Sequence, residues 1–548
     1  MPAKPLLQQP IASAVLLGAG VFGATPILGL IGIALGGDTE VWAHLAAYVL
    51  PSALTNTGLL LAGVAALTTL IGVGTAWLVT AFQFPGRDAL IWLLALPLAI
   101  PTYLSAYIYV DVFDGLGAAS RVLGIQFNVR SLGGAILVMS VVLYPYVYLA
   151  ARAAFQMQGP AAVEAARTMG ASQWHALRDV TLPLARPAIA AGLALALLEA
   201  LNDIGACEYL GVQTLTLSVF TTWLNRNSLA GAAQIACVMM IAVAALIAIE
   251  RFGRRKRHYA TGDHQLRAAR ILLHGRKSAL AALACALPVI FGFALPFSYL
   301  VHEVIARGLL AGFDIAIVQH TAMTVMLTVI AAVLTIAFGF GVAIAARLQP
   351  GSITAVCILA AGLGYAIPGA VLALGVLSPL VAIDEGINFV TQAIAGRSVG
   401  LVLAGSSAAL IIAYVLRFAA ITIGFGQSGL GRISPDLDDA ARVAGASAGT
   451  VVRTIQLPLL RPALWGAALL VFVDCLKELP ATLLLRPLNI ETLATYIFQF
   501  ATRGSFEQGA LAALLIVAVG ILPVIRMVRF ADTAIHDGLD TDTRPTVA

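Results

Sequence analysis

Four carboxylates stand where a carboxylate is costly. Glu199 and Asp203 fall in or beside one long apolar run, and Asp474 and Glu478 fall in another, 275 residues later and at the same spacing of four. Residues four apart share a helix face, so each run carries a two-acid stripe, with Lys477 three residues after Asp474 and adjacent to Glu478. A carboxylate near mid-membrane costs about 2.5–3.5 kcal/mol on insertion scales, so such groups turn from lipid toward one another, a partner side chain or a water-filled path. Two chemistries fit: a negative pathway suited to a hard cation, or hydrogen bonds that tie spans together. Glu208, Tyr209 and Tyr496 are further polar candidates, although tyrosine at a membrane edge also serves as an interfacial anchor. No Ser/His/Asp set, HExxH or metal-spaced cluster stands out, and the five cysteines (Cys207, Cys237, Cys285, Cys357, Cys475) and eight histidines are dispersed. Neither a membrane-embedded enzyme, a disulfide framework nor a fixed metal site is expected.

The elements that must position these acids are membrane helices. Sixty percent hydrophobic residues, 11% charged residues and a mean hydropathy of +0.94 lie far outside soluble averages. A helix rising ~1.5 Å per residue crosses a ~30 Å hydrocarbon core in about 20 residues. Apolar runs of that order occur at 13–35, 57–80, 89–111, 134–152, 187–206, 231–250, 279–301, 322–346, 353–382, 399–422, 462–485 and 508–530. The fold expected is all-α: a polytopic membrane protein of about twelve spans in two pseudo-symmetric six-helix halves. The 353–382 run is overlong and interrupted at Gly364-Tyr365-Ala366-Ile367-Pro368, which reads as a kink or a division into two pieces. Pro101 and Pro368, each preceded by isoleucine in corresponding spans, read more readily as packing kinks than as paired breaks beside a path. The first run is longer than a signal-peptide core and only Lys4 precedes it, so it reads as a retained span.

Charge orients the chain. With the N-terminus in the cytoplasm, only seven of the 32 Lys and Arg residues fall in outer loops, as the positive-inside rule requires. The C-terminus then also lies in the cytoplasm. Nine of the 32 sit between Arg251 and Lys277, including Arg254-Arg255-Lys256-Arg257. That stretch reads as a basic, lipid-facing linker over 251–277 joining halves 1–250 and 278–548, and not as a nucleic-acid site.

A 25-residue pattern occurs twice without a gap, at 164–188 (EAARTMGASQWHALRDVTLPLARPA) and 439–463 (DAARVAGASAGTVVRTIQLPLLRPA), identical at 13 positions. Both copies are polar islands between spans four and five of their halves. Ser434-Pro435 followed by Asp436, Asp438 and Asp439 predicts an N-cap, a proline at the first helical position and acids at the positive end of the helix dipole. Gly445 is placed to end that helix, and Ser447 to cap a second one running to Leu457-Pro458. In the first copy Gly170 and Ser172 take these roles. The turn glycines and Ala165, Ala166, Ala440 and Ala441 permit close approach, while Glu164 with Arg167, and Asp439 with Arg442, place opposite charges on one face. Two equal islands call for two equal partner surfaces.

Acidic-Ala-Ala, three residues, Gly, nine residues, aliphatic, one residue, Leu-Pro resembles the EAA loop of membrane subunits of binding-protein-dependent ABC importers. Val180, Leu182 and Pro183 complete the match in one copy, and Ile455, Leu457 and Pro458 in the other. The resemblance implies cytoplasmic coupling helices seated on a homodimeric ATP-binding subunit, with Glu164, Ala165, Ala166, Gly170, Asp439, Ala440, Ala441 and Gly445 as contacts. Asp439 stands where the family usually has Glu, which shortens the carboxylate by one methylene. The whole chain resembles a fused twelve-span permease, and Leu476–Pro487 is similar to ferric-iron importer permeases; thiamine and aminoethylphosphonate permeases also have fused forms.

The chain should bind no nucleotide itself. A phosphate-cradling loop needs a lysine directly after glycine, and none of Lys4, Lys256, Lys277 or Lys477 follows one. ATP and magnesium are therefore expected in the partner ATPase, and cargo from an extracytoplasmic binding protein. The resemblance implies a bacterial inner-membrane permease for ferric iron. A proton-coupled secondary transporter, with the acids as a relay, is the rival class.

Overall fold

The computed structural model describes residues 10–37, 39–113, 124, 128–158, 168–170, 172–254, 270–309 and 315–540 of the 548. Among the described residues ten helices are long and apolar enough to cross a membrane, or twelve when each of two sharply bent pairs is taken as one span. Strand pairing among them is confined to a two-residue parallel bridge, Phe82–Gln83 with Ile271–Leu272. The all-α expectation holds.

The chain divides into two compact units that cut across its sequence halves. One comprises Met1–Leu50, Leu215–Met240 and Phe313–Gln499; the other comprises Pro51–Thr214, Ile241–Gly312 and Phe500–Ala548. We call them the 313–499 unit and the 51–214 unit. Each takes its opening helix from the opposite half of the sequence, and small residues are the reason. In the 313–499 unit the Pro10–Leu35 helix crosses Ser352–Ala361 and Gly369–Ala395 almost backbone to backbone. A Cβ on Gly23 would sit 2.3 Å from the Ala360 carbonyl oxygen, and one on Gly29 would sit 2.1 Å from that of Gly375. In the 51–214 unit a Cβ on Gly292, within the Gly275–Ala306 helix, would meet the Val141 carbonyl at 2.3 Å. Lipid tails are as apolar as leucine, so helices in a bilayer associate through such close approach and not through hydrophobic exclusion from water.

Three departures from the expected spans come from prolines or a capped loop. Pro101 and Pro368 are full breaks, not kinks: Ile100 (φ −102°, ψ 117°) and Ile367 (φ −81°, ψ 126°) are extended. Proline withholds its amide from the preceding turn and drives the residue before it out of the helical region. The first break turns Arg87–Ala99 against Thr102–Phe113 by 92°. The second separates Leu363–Ala366 from Gly369–Ala395, and a further interruption at Gly362 sets off Ser352–Ala361. The 399–422 run becomes helical only at Ser407. Ahead of it the amides of Val402, Leu403 and Ala404 donate to the buried Asp384 carboxylate, at 3.2, 2.9 and 2.9 Å.

Candidate functional site

Both predicted acid stripes end at a second kind of break, and its geometry repeats at the 275-residue offset. The Leu182–Asn202 helix stops at Asp203 (φ −81°, ψ 96°) and resumes as Ile204–Tyr209. The Arg461–Lys477 helix stops at Glu478 (φ −69°, ψ 117°) and resumes as Pro480–Leu485. In each the acid at the break accepts from the amide three residues on: Ala206 to Asp203 Oδ1 at 2.8 Å, and Ala481 to Glu478 Oε2 at 3.1 Å. A broken helix leaves amides without intrahelical partners, and a buried carboxylate is a strong acceptor for them. Sequence spacing located these acids but read them on one unbroken helical face, whereas the second acid of each pair sits on the break itself.

Their remaining partners differ. Asp203, nine-tenths buried, receives the Thr102 hydroxyl, the first residue after the Pro101 break. Glu478, equally buried, lies 3.7 Å from the Arg417 guanidinium and also accepts from the Thr482 amide and hydroxyl at 3.2 and 3.1 Å. Tyr414 Oη and Thr482 Oγ1 are 2.6 Å apart, and Arg417 Nη1 donates to Ile367 O, a carbonyl freed by the Pro368 break, at 3.3 Å. The residue after Pro368 is Gly369, and a Cβ there would fall 2.6 Å from Glu478 Oε1 and 3.0 Å from Arg417 Nη1. Thus one unit fills the post-proline position with a hydroxyl, and the other empties it to admit a guanidinium. Of the outer acids, Asp474 pairs with Lys477 at 3.0 Å, as their spacing of three implied, and Glu199 is half-buried. Arg417 escaped the sequence reading. Its position inside an apolar run was the available signal, since an unpaired guanidinium there is untenable.

The twin polar islands are equally matched in backbone. Gly170 and Gly445 adopt φ of +89° and +88° with open space around a would-be Cβ. At Gly445 the amide donates to Arg442 O (3.0 Å) and that of Ala446 to Ala441 O (2.9 Å), the bond pair that closes a helix on a left-handed glycine. Ser172 accepts from the His175 amide at 3.3 Å and Ser447 from that of Thr450 at 3.2 Å. Wide π turns follow at Leu177–Thr181 and Val452–Gln456. The first helix of the second copy is Pro435–Val443, capped by Ser434. Asp439 is exposed and pairs with Arg442 at 3.2 Å; Ala440 is exposed and Ala441 half-buried. Glu164, Ala165, Ala166 and Arg167, and linker residues 255–269, lie outside the described residues.

Within the Pro435–Val443 helix the buried residue is Asp438. Arg347, at the end of the Ile315–Leu348 helix, donates to it at 2.8 Å and to Ile433 O at 2.9 Å, and Gln456 donates to the same carboxylate oxygen at 3.1 Å. This clamp ties the exposed helix to the end of the Ile315–Leu348 membrane helix. At the 275 offset Asp438 and Gln456 become Val163 and Thr181, so the clamp belongs to one copy. The sequence reading assigned Asp438 only to the helix dipole and missed Arg347, 91 residues away.

Among the described residues all five cysteines are free, and no three His, Cys, Asp or Glu side chains are grouped to hold a metal ion.

Residues 68–258 match the family model described as binding-protein-dependent transport system inner membrane component. The chain is 23% identical over 483 residues to the "Fe(3+)-transport system permease protein FbpB 2" of Haemophilus influenzae, covering 87% of this chain and 90% of that one. It is 27% identical over 496 residues to the "Probable ABC transporter permease protein y4fN" of Sinorhizobium fredii, covering 85% of each. Over 182 residues it is 30% identical to the "Molybdenum transport system permease protein ModB" of Escherichia coli, 32% of this chain and 79% of that one.

Proposed function

Because this chain belongs to the binding-protein-dependent transport system inner membrane component family, as a fused two-domain permease of an ABC importer, we propose that it carries ferric iron across the inner membrane. Iron is favoured over the molybdenum of the shorter Escherichia coli relative because the ferric permease aligns over 87% of this chain against 32%. Carboxylates along the proposed pathway give it the negative sign and hard oxygen character that suit such a cation. Thiamine and aminoethylphosphonate remain the alternative cargoes.

In this reading a homodimeric ATPase, holding ATP and magnesium, grips the two loops through Glu164, Ala165, Ala166 and Gly170 on one side and Asp439, Ala440, Ala441 and Gly445 on the other. Both termini lie in the cytoplasm, and an extracytoplasmic binding protein delivers the cation. The observation that carries the coupling role is the duplicated loop backbone, with left-handed glycines of matching φ and matching serine caps 275 residues apart. Nucleotide-driven closure of the ATPase draws the loops together and shifts the permease from inward- to outward-facing. Coupling requires only that the ATP-bound dimer prefer one of these states. Glu199, Asp203, Asp474, Lys477 and Glu478 belong to the pathway in this account; Asp203 and Glu478 act by fixing the helix breaks, and the others by setting its charge.

Reconstitution with the cognate ATPase and binding protein tests this. ATP-dependent uptake of radiolabelled ferric iron is expected, and Gly170→Val with Gly445→Val should release the ATPase during purification. Uptake of molybdate, thiamine or a phosphonate in place of iron would redirect the cargo assignment. Proton-driven uptake by the chain alone would replace the importer mechanism with a secondary transporter.

A further inference from the structure

The 51–214 unit carries a cluster of oxygen donors without counterparts at the corresponding positions of the other unit. Tyr103, Tyr107 and Asp111 follow one another at spacings of four along the Thr102–Phe113 helix, which places them on one face. The Tyr107 ring lies 5.8 Å from that of Tyr103 and 4.7 Å, edge-on, from that of Tyr209. Tyr209 ends the Ile204–Tyr209 segment, carries Glu208 beside it, and has the Arg130 guanidinium over its ring at 5.1 Å. Asp111 accepts the Tyr299 hydroxyl. Nearby, Arg307 bridges Glu303 at 2.9 Å and Glu507 at 3.3 Å.

Two atoms in this cluster lack what burial demands. Tyr107 is 1% exposed, yet among the described residues its hydroxyl has no hydrogen-bond partner, and Glu208 Oε2 is likewise buried without one. The Tyr107 phenol lies within the electrostatic reach of Asp203, Glu208 and Tyr209. Leaving a buried polar atom unpaired costs about 1–3 kcal/mol, more for a charged one, so two within electrostatic reach of each other mark a position where an absent group completes the bonding. Carboxylate and phenolate oxygens are hard donors. Five acids, Asp111, Asp203, Glu208, Glu303 and Glu507, and the guanidiniums of Arg130 and Arg307 act electrostatically on these tyrosines and on one another, a balance that draws cations and repels oxyanions.

The other unit has none of this at corresponding places. Counting from the paired prolines, Tyr103, Tyr107 and Asp111 become Ala370, Leu374 and Ser378; counting by 275, Glu208 and Tyr209 become Leu483 and Leu484. A structural need shared by both bundles would have left similar groups in both.

We propose that Tyr107, Glu208 and Tyr209, with Asp111 beside them, form a one-sided transfer station for a hard trivalent cation in the 51–214 unit. The proposal deepens the ferric reading and rests on it. The donors are phenols as much as carboxylates and do not close into a cage, which suits an ion that must leave again. When the cation arrives, the Tyr107 O–H bond breaks as the metal–oxygen bond forms, and the proton passes to a neighbouring carboxylate and out to water.

The test is spectroscopic, on the full chain in lipid nanodiscs titrated with ferric nitrilotriacetate. Phenolate bound to ferric iron absorbs visible light by charge transfer, so a band should grow with added iron and remain when molybdate is present. Tyr107→Phe should abolish or sharply weaken the band, and Glu208→Gln should lower the affinity at least about tenfold while leaving the band's position nearly unchanged. A thermal midpoint for each variant identifies one that has merely lost its fold, in which case Tyr209→Phe takes its place. Absence of the band in the wild type, or an undiminished band in a folded Tyr107→Phe chain, overturns the station. Ferric uptake in the reconstituted importer separates the two levels: wild-type uptake that Tyr107→Phe leaves untouched removes this site and spares the cargo assignment, whereas no wild-type uptake of iron removes both.

Discussion

The two broken helices that end at Asp203 and Glu478 share a backbone solution and differ in electrostatics. Each carboxylate caps the half-helix that follows it. One then relies on a neutral hydroxyl from Thr102, the other on an ion pair with Arg417. Duplication fixed the break, and the residue after the preceding proline decided the partner: threonine reaches its carboxylate, and glycine makes room for a longer cation. A symmetric scaffold therefore carries asymmetric charge, and the tyrosine cluster and the Arg347–Asp438 clamp extend the same asymmetry.

The sharpest way to break this comparison is to remove each partner in turn. Arg417→Ala leaves Glu478 buried with its charge uncompensated and should cost about 3–5 kcal/mol. Thr102→Val, which keeps the shape and removes one hydrogen bond to a charged group, should cost about 1.5–3 kcal/mol. Thermal unfolding in detergent gives the ranking, and equal losses would show that the guanidinium contributes no more than the hydroxyl. Next in size is Gly369→Ala, whose methyl group would crowd both members of the ion pair; overpacking of this kind costs about 1–3 kcal/mol. Suppression of that defect when Arg417 is shortened to Lys would sharpen the case that the glycine exists to admit the guanidinium.

The smallest effect separates stability from coupling. Asp439 is 69% exposed and its pair with Arg442 is a surface contact, so Asp439→Ala should change stability by less than about 1 kcal/mol. Retention of the ATP-binding subunit on the purified permease should nevertheless fall. A variant that keeps its partner would confine the acidic position to a local salt bridge and move the docking contact to the alanines and the turn glycine.

Much of this was legible in the residues. Hydropathy runs located the spans because a bilayer imposes a fixed length. Ser434-Pro435, Gly445 and Ser447 announced their helix ends because capping is a local matter of adjacent backbone groups. The gapless repeat announced two equivalent loops. Less could be read where the answer depended on a partner distant in the chain: that Pro101 and Pro368 sever their helices completely, that Asp203 and Glu478 lie on breaks, and that Arg347 and Arg417 are the counter-ions of buried acids. Units that exchange opening helices between sequence halves were equally hidden, since glycines such as Gly23 and Gly29 show that something must come close and not which helix it is.

Sequence alone determined the class of molecule, the approximate number of its membrane spans and the duplicated loop, because these follow from the solvent and from bonds within a few residues. Tertiary structure decided which acids became caps, which became ion pairs and which oxygens were left unpaired. Those outcomes depend on groups from separate helices meeting in a low-dielectric interior, where a missing partner is far more costly than in water.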